Sequence, residues 1–111
     1  MRTKAKKIPE SIIQKSCLDW LKYLQKTQDI VFFRANSGAF KTIQGRYVKT
    51  GTPGLSDICV IKDAVFYGVE IKTATGRMSQ SQKDFRARLE LAGGIYVLCR
   101  SVGDLKLVFP L

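Results

Sequence analysis

At 111 residues the chain has the length of one domain and can bury one hydrophobic core. Apolar residues make up 45% and charged residues 25%, but 19 Lys and Arg against 9 Asp and Glu leave a formal net charge of +10. Histidine is absent, which excludes a Ser-His-Asp triad, a Cys-His pair and a His-ligated zinc, so any catalysis must rest on carboxylates, Lys, Tyr or Ser.

A charge this high on a small domain points to a polyanion. Nucleic acid is the first candidate, a membrane surface the second, and a merely solubilising surface the bland alternative. Cys17, Cys59 and Cys99 fit no CxxC or zinc pattern, and each sits in an apolar run. They are expected as buried free thiols in a reducing, cytoplasmic compartment. No apolar run approaches the roughly 20 residues of a membrane span, and the N-terminus lacks the apolar segment of a signal peptide.

In chain order, residues 1–7 form a basic arm with Arg2, Lys4, Lys6 and Lys7. A helix is expected from about Pro9, since proline suits a first turn, with Ile13, Cys17, Trp20, Leu21 and Leu24 as its buried stripe. It should fade around Lys26 to Gln28. Ile30 to Arg34 reads as a first strand. The polar stretch Asn36 to Gly54 holds five Gly or Pro residues, and loops this long are usually functional. Within it, Phe40 to Ile43 can pair with Arg46 to Lys49 around Gln44-Gly45.

Asp57 to Lys62 and Val65 to Thr73 read as the second and third strands. Asp63-Ala64 is the turn between them, a poor match to the favoured Asn-Gly type. Ser79 caps a second helix running to about Ala92, with Phe85, Leu89 and Ala92 on one face, and Gly93-Gly94 stops it. Ile95 to Arg100 is a fourth strand and Leu105 to Phe109 a last short one. The order is α-β-β-β-α-β-β, an α/β class with a mixed central sheet flanked by helices. No repeat or low-complexity segment divides the chain, so 1–111 is expected to be one domain.

The chemistry lies in the second hairpin. A tight, even-numbered loop centred on Asp63-Ala64 pairs residues whose numbers sum to 127, so Asp57 faces Glu70, with Cβ atoms about 4.5–5.5 Å apart. Lys72, two residues on, points to the same face. Adjacent carboxylates raise each other's proton affinity unless a cation compensates. All-oxygen ligation favours Mg²⁺ or Mn²⁺, which suit phosphodiester hydrolysis. The alternative is a solvated sheet face with ordinary ion pairs. Against it, Glu70 and Lys72 lie in a strongly apolar strand, and Asp57 follows a Gly/Pro-rich turn.

Gly51-Thr52-Pro53-Gly54-Leu55-Ser56-Asp57, Val69-Glu70-Ile71-Lys72 and Gly76-Arg77-Met78-Ser79-Gln80-Ser81-Gln82 together resemble the VRR-NUC nucleases, a branch of the PD-(D/E)xK superfamily. Gly93-Gly94-Ile95-Tyr96-Val97 resembles that family's closing strand. The likeness spans about Glu10 to Arg100. It departs from the superfamily name in that Ser56, not a proline, precedes Asp57, a variation the branch tolerates. The resemblance implies a restriction-endonuclease-like fold and a stand-alone phage or bacterial type of enzyme. It implies that Asp57, Glu70 and the Ile71 carbonyl ligate the metal. Lys72 would position or activate the attacking water, Gln82 support the site and Glu10 assist with the metal. Gln14, one turn after Glu10, is a weaker candidate. It further implies a homodimer cutting branched DNA such as four-way (Holliday) junctions.

Lys4, Lys6, Lys7, Lys41, Arg46, Lys49 and Arg77 are the expected phosphate contacts, each with a solvated basic surface as its bland alternative. Tyr47 and Phe40 are expected to pack their loop onto the core rather than stack on bases. No element resembles a base-reading helix, so selectivity for structure is expected. The competing function is a non-catalytic, structure-selective DNA-binding module on the same fold. A basic scaffold would explain the charge but not the register of the acids.

Overall fold

The computed structural model describes residues 7–35, 39–49 and 51–111. Lys4 and Lys6 lie outside them, and the side chains of Phe40 and Lys49 are likewise not described.

Pro9 stands at the N-cap of α1 (Glu10–Leu24), where its carbonyl accepts from the Ile12 and Ile13 amides. Ile13, Cys17, Leu21 and Leu24 recur at helical spacing and are buried, as expected. Trp20 is only half-buried, because its indole N–H turns to donate to the Phe109 carbonyl at 2.9 Å. A four-stranded sheet follows, in the order β1 (Ile30–Arg34), β4 (Ile58–Lys62), β5 (Val65–Ile71), β6 (Ile95–Cys99). β1 and β5 run antiparallel to β4, and β6 runs parallel to β5. Parallel neighbours need a long crossover, supplied by α2 (Gln80–Leu91).

The β4–β5 register pairs Ile58 with Val69 and Lys62 with Val65, the sum of 127 that the turn predicts. Asp63 and Ala64 both adopt positive φ, 52° and 63°, as a primed two-residue hairpin requires.

Two expectations need correction. Leu105 to Phe109 is not a strand but part of a helix, α3 (Val102–Val108). Ser101 caps it by accepting from the Asp104 amide, and the Asp104 carboxylate accepts from the Arg100 amide at 2.8 Å. A strand would put Leu105, Leu107 and Phe109 on one face. Instead Leu105 and Phe109, four apart, are buried and Leu107 is exposed. The second correction is in the ribbon of β2 (Ala39–Lys41) and β3 (Tyr47–Lys49). It forms, but Lys41 faces Tyr47, one step from the expected register. The loop closes with Thr42 accepting from Gly45 and donating to Arg46, which leaves three residues at the tip rather than two.

The two faces of the sheet differ in character. One carries Ile58, Val60, Val69, Ile71, Val97 and Cys99, which pack with α1 and α3 into the apolar core. Tyr67 meets Phe109 edge-on there, with ring centroids 4.8 Å apart. The other face, under α2, holds Cys59, Gly68, Glu70 and Tyr96. All three cysteines are buried free thiols. No described helix is long and apolar enough to cross a membrane.

Candidate functional site

The site begins where β4 begins. Asp57 occupies the rung before Ile58, so the hairpin register brings it opposite Glu70. Its backbone carbonyl accepts from the Ala35 amide at 2.9 Å, and its carboxylate accepts from the Ile71 amide at 2.7 Å. The first bond extends the pairing with β1; the second fixes the Asp57 rotamer against β5. The turn before Asp57 is held by Gly54, whose φ is +74° and whose missing Cβ leaves room for the Ser81 carbonyl. The loop therefore lies directly on the first turn of α2.

Glu70 is 3% exposed, and its Oε2 has no hydrogen-bond partner. Burial first, then the neighbouring Asp57 carboxylate, push its carboxyl up to about 8. Lys72 opposes this from 4.0 Å, and Glu10 adds a smaller upward contribution, which places Glu10 near enough for its charge to be felt. Of the expected residues, Asp57, Glu70, Lys72 and Gln82 are brought together, while Glu10, at the start of α1, makes no hydrogen bond or ion pair with them.

Gln82 links α2 to the acids. Its Oε1 accepts from the Ser79 amide at 2.8 Å, completing a capping box, and its Nε2 donates to Glu70 Oε1 at 2.8 Å. The first bond fixes which end of the amide faces the carboxylate. Of the expected phosphate contacts, Lys7, Lys41, Arg46 and Arg77 are exposed. Tyr47 is 76% exposed, which overturns the expectation that it packs on the core; Phe40 cannot be placed in the same way, since its side chain is not described.

Three contributors were not evident from the sequence. The Arg100 guanidinium donates to the Thr73 and Gly76 carbonyls at 2.6 and 2.8 Å, and so buckles down the segment after Lys72. Nothing in the sequence links Arg100 to residues so far upstream. Tyr96, across the ladder from Gly68, is 8% exposed with an unpartnered hydroxyl. Burial, with the charges of Glu70 and Asp57, holds that phenol above its ordinary range. Ser56 is fully buried, also with an unpartnered hydroxyl, and a Cβ on Gly68 would press on its Oγ. Ser56, Glu70 and Tyr96 thus gather around Gly68.

Among the described residues, no three Asp, Glu, Cys or His side chains form a metal cluster by themselves. The donor set is a carboxylate pair, one oxygen of which is buried and unpartnered. A carboxylate pair of this kind, with Glu70 buried and Asp57 half-buried, fits a hard cation, which takes oxygen ligands.

No family model and no curated protein matches the sequence. A solved structure described as a VRR_NUC domain does match, with a TM-score of 0.62 and 19% sequence identity, over 91% of this chain and 95% of that one. The chain therefore has the fold of a VRR_NUC domain.

Proposed function

We propose that the chain is a divalent-metal-dependent endonuclease that hydrolyses phosphodiester bonds in DNA. The observation that carries this is the Asp57–Glu70 pair on the polar face of the sheet, Asp57 half-buried and Glu70 buried with an unpartnered carboxylate oxygen and Lys72 at 4.0 Å. The shared fold with a VRR_NUC domain supports it, as does the net charge of +10.

In this assignment Asp57, Glu70 and the Ile71 carbonyl hold Mg²⁺ or Mn²⁺, with Glu10 as an auxiliary acid. Such an ion supplies charge stabilisation at a phosphate oxygen and a more acidic water. Gln82 holds Glu70 Oε1 in one orientation, and the Ile71 amide does the same for Asp57. Lys72, with 13% of its side chain exposed, places an ammonium group where the attacking water and the phosphate meet. It orients that water and offsets the negative charge gained as the water oxygen bonds to phosphorus and the ester bond breaks. Arg77, after the segment buckled by Arg100, binds a flanking phosphate. Lys7, Lys41 and Arg46 add sequence-independent affinity. The finer reading is selectivity for branched DNA such as four-way junctions, cut by a homodimer whose two-fold axis relates two sites.

The test is cleavage of a labelled four-way junction, a flap and a linear duplex with Mn²⁺, Mg²⁺ or EDTA. Paired junction cuts that need metal, and that fall at least a hundredfold in Lys72→Ala with DNA binding kept, are expected. Binding without cleavage of any substrate in either metal would leave a DNA-binding module instead.

A further inference from the structure

The β2–β3 ribbon departs from and returns to the catalytic strand. Ala35, at the end of β1, bonds to Asp57, so residues 36–56 form an insertion whose two ends meet beside the first acid. At up to about 3.6 Å per residue, the eight steps from Ala35 to Ile43 span at most about 29 Å. The tip is therefore within reach of a nucleic acid held at the site.

Two large side chains of this ribbon face solvent. Ile43 is fully exposed at the tip, at 104%, and Tyr47 is 76% exposed. Both stand among cations: Lys41 lies opposite Tyr47, its Nζ 6.0 Å from the ring centroid, and Arg46 is exposed at the base of the turn. The tip is also well formed. The Gly45 amide donates to the Thr42 carbonyl at 2.9 Å, the Thr42 amide to the Arg46 carbonyl at 2.8 Å, and the Arg46 amide to Thr42 Oγ1 at 3.1 Å. Ile43 is thus presented on a braced turn.

Cationic flanks suit a polyanion, and an apolar tip suits the apolar faces of unstacked bases. A two-stranded ribbon is narrow enough to enter a groove, and isoleucine is among the side chains that wedge between base steps. Unstacking costs least where stacking is already broken, as at a branch point. We propose that the β2–β3 ribbon is a DNA wedge: Ile43 inserts at a branch, Tyr47 stacks on the base it frees, and Lys41 and Arg46 grip the adjoining phosphates. This rests on the nuclease reading for its substrate and supplies a source of selectivity for branched DNA that the catalytic acids do not contain.

The test is a four-way junction carrying 2-aminopurine at the branch, titrated in EDTA with wild-type protein and with Ile43→Ser. Because Ile43 is fully exposed, this substitution should leave folding intact. The wild type should raise 2-aminopurine fluorescence several-fold. Ile43→Ser should lose that rise, together with about tenfold of the preference for junction over duplex. Lys41→Ala should instead weaken junction and duplex binding alike. An unchanged fluorescence rise in Ile43→Ser, or no rise with the wild type, overturns the proposal. So does a shift in sedimentation of the DNA-free protein on Ile43→Ser, which would assign the tip to contact between two copies. Hydrolysis of bis(p-nitrophenyl) phosphate by the wild type with Mn²⁺, followed in parallel, reports failure of the nuclease reading separately.

Discussion

Glu70 holds a proton at a pH where the unfolded chain would have lost it. Burial, with the neighbouring Asp57 charge, pushes the Glu70 carboxyl up to about 8. Below the unfolded value of about 4.5 both states are protonated and the stabilising contribution is complete. As pH rises towards 8, the unfolded state is already ionised while the folded state resists, so that contribution is lost. In EDTA, the melting temperature should therefore fall between pH 5 and pH 8. Glu70→Gln should flatten the fall and stabilise the metal-free protein at pH 8 by on the order of a few kcal/mol, while abolishing cleavage. Thermal melts across that range check this; an unchanged slope in Glu70→Gln would remove Glu70 as its cause. The juxtaposition behind this behaviour was legible in the sequence, because two-residue hairpin arithmetic alone sets Asp57 against Glu70. The unpartnered hydroxyls of Ser56 and Tyr96 were not legible, since the two residues flank Gly68 only when β6 pairs in parallel with β5.

At the level of elements, the turn that sets this register is built from an unsuitable residue. Ala64 adopts a φ of 63°, where its Cβ is unfavourable. Ala64→Gly should stabilise the protein by about 0.5–1 kcal/mol, read from urea denaturation midpoints, with activity unchanged because the turn lies at the opposite end of the hairpin from Asp57. The second helix was legible to within a residue at each end, because Ser79 with Gln82, and Gly93-Gly94, are explicit start and stop signals. The final helix was not recognised, because Leu105, Leu107 and Phe109 mimic the alternation of a strand. The signal that decides the matter is the cap three residues apart, Ser101 with Asp104. The ribbon was found one step out of register, since a two-residue and a three-residue loop both fit around Gln44-Gly45.

Across the whole molecule, stability and chemistry occupy opposite faces of one sheet. The α1 and α3 side is a continuous apolar cluster containing Leu21 and Leu24, fully buried. The α2 side keeps polar atoms buried, and α2 itself has no fully buried residue. Substitutions on the two faces should separate accordingly. Leu21→Ala should cost about 2–5 kcal/mol in chemical denaturation while the folded fraction keeps its rate per molecule. Glu70→Gln should do the reverse, gaining stability and losing rate. Equal loss of both properties in Leu21→Ala would argue that the faces are not independent. The division itself was legible from the sequence, where β5 carries Glu70 within an apolar run; which helix covers which face was not, because that depends on packing across the sheet.

One side-chain amide belongs to both the cap of α2 and the site. Gln82 holds the Ser79 N–H with its oxygen and Glu70 with its nitrogen, so fraying of the first turn and release of the carboxylate are a single local opening. A divalent ion that pins Glu70 should then slow hydrogen–deuterium exchange at the Ser79 amide, on the neighbouring element. That amide becomes a spectroscopic reporter of occupancy, readable by NMR in the absence of any nucleic acid, and Gln82→Ala should silence it. If Ser79 exchanges at the same rate with and without Mg²⁺ or Mn²⁺, the cap and the carboxylate open independently.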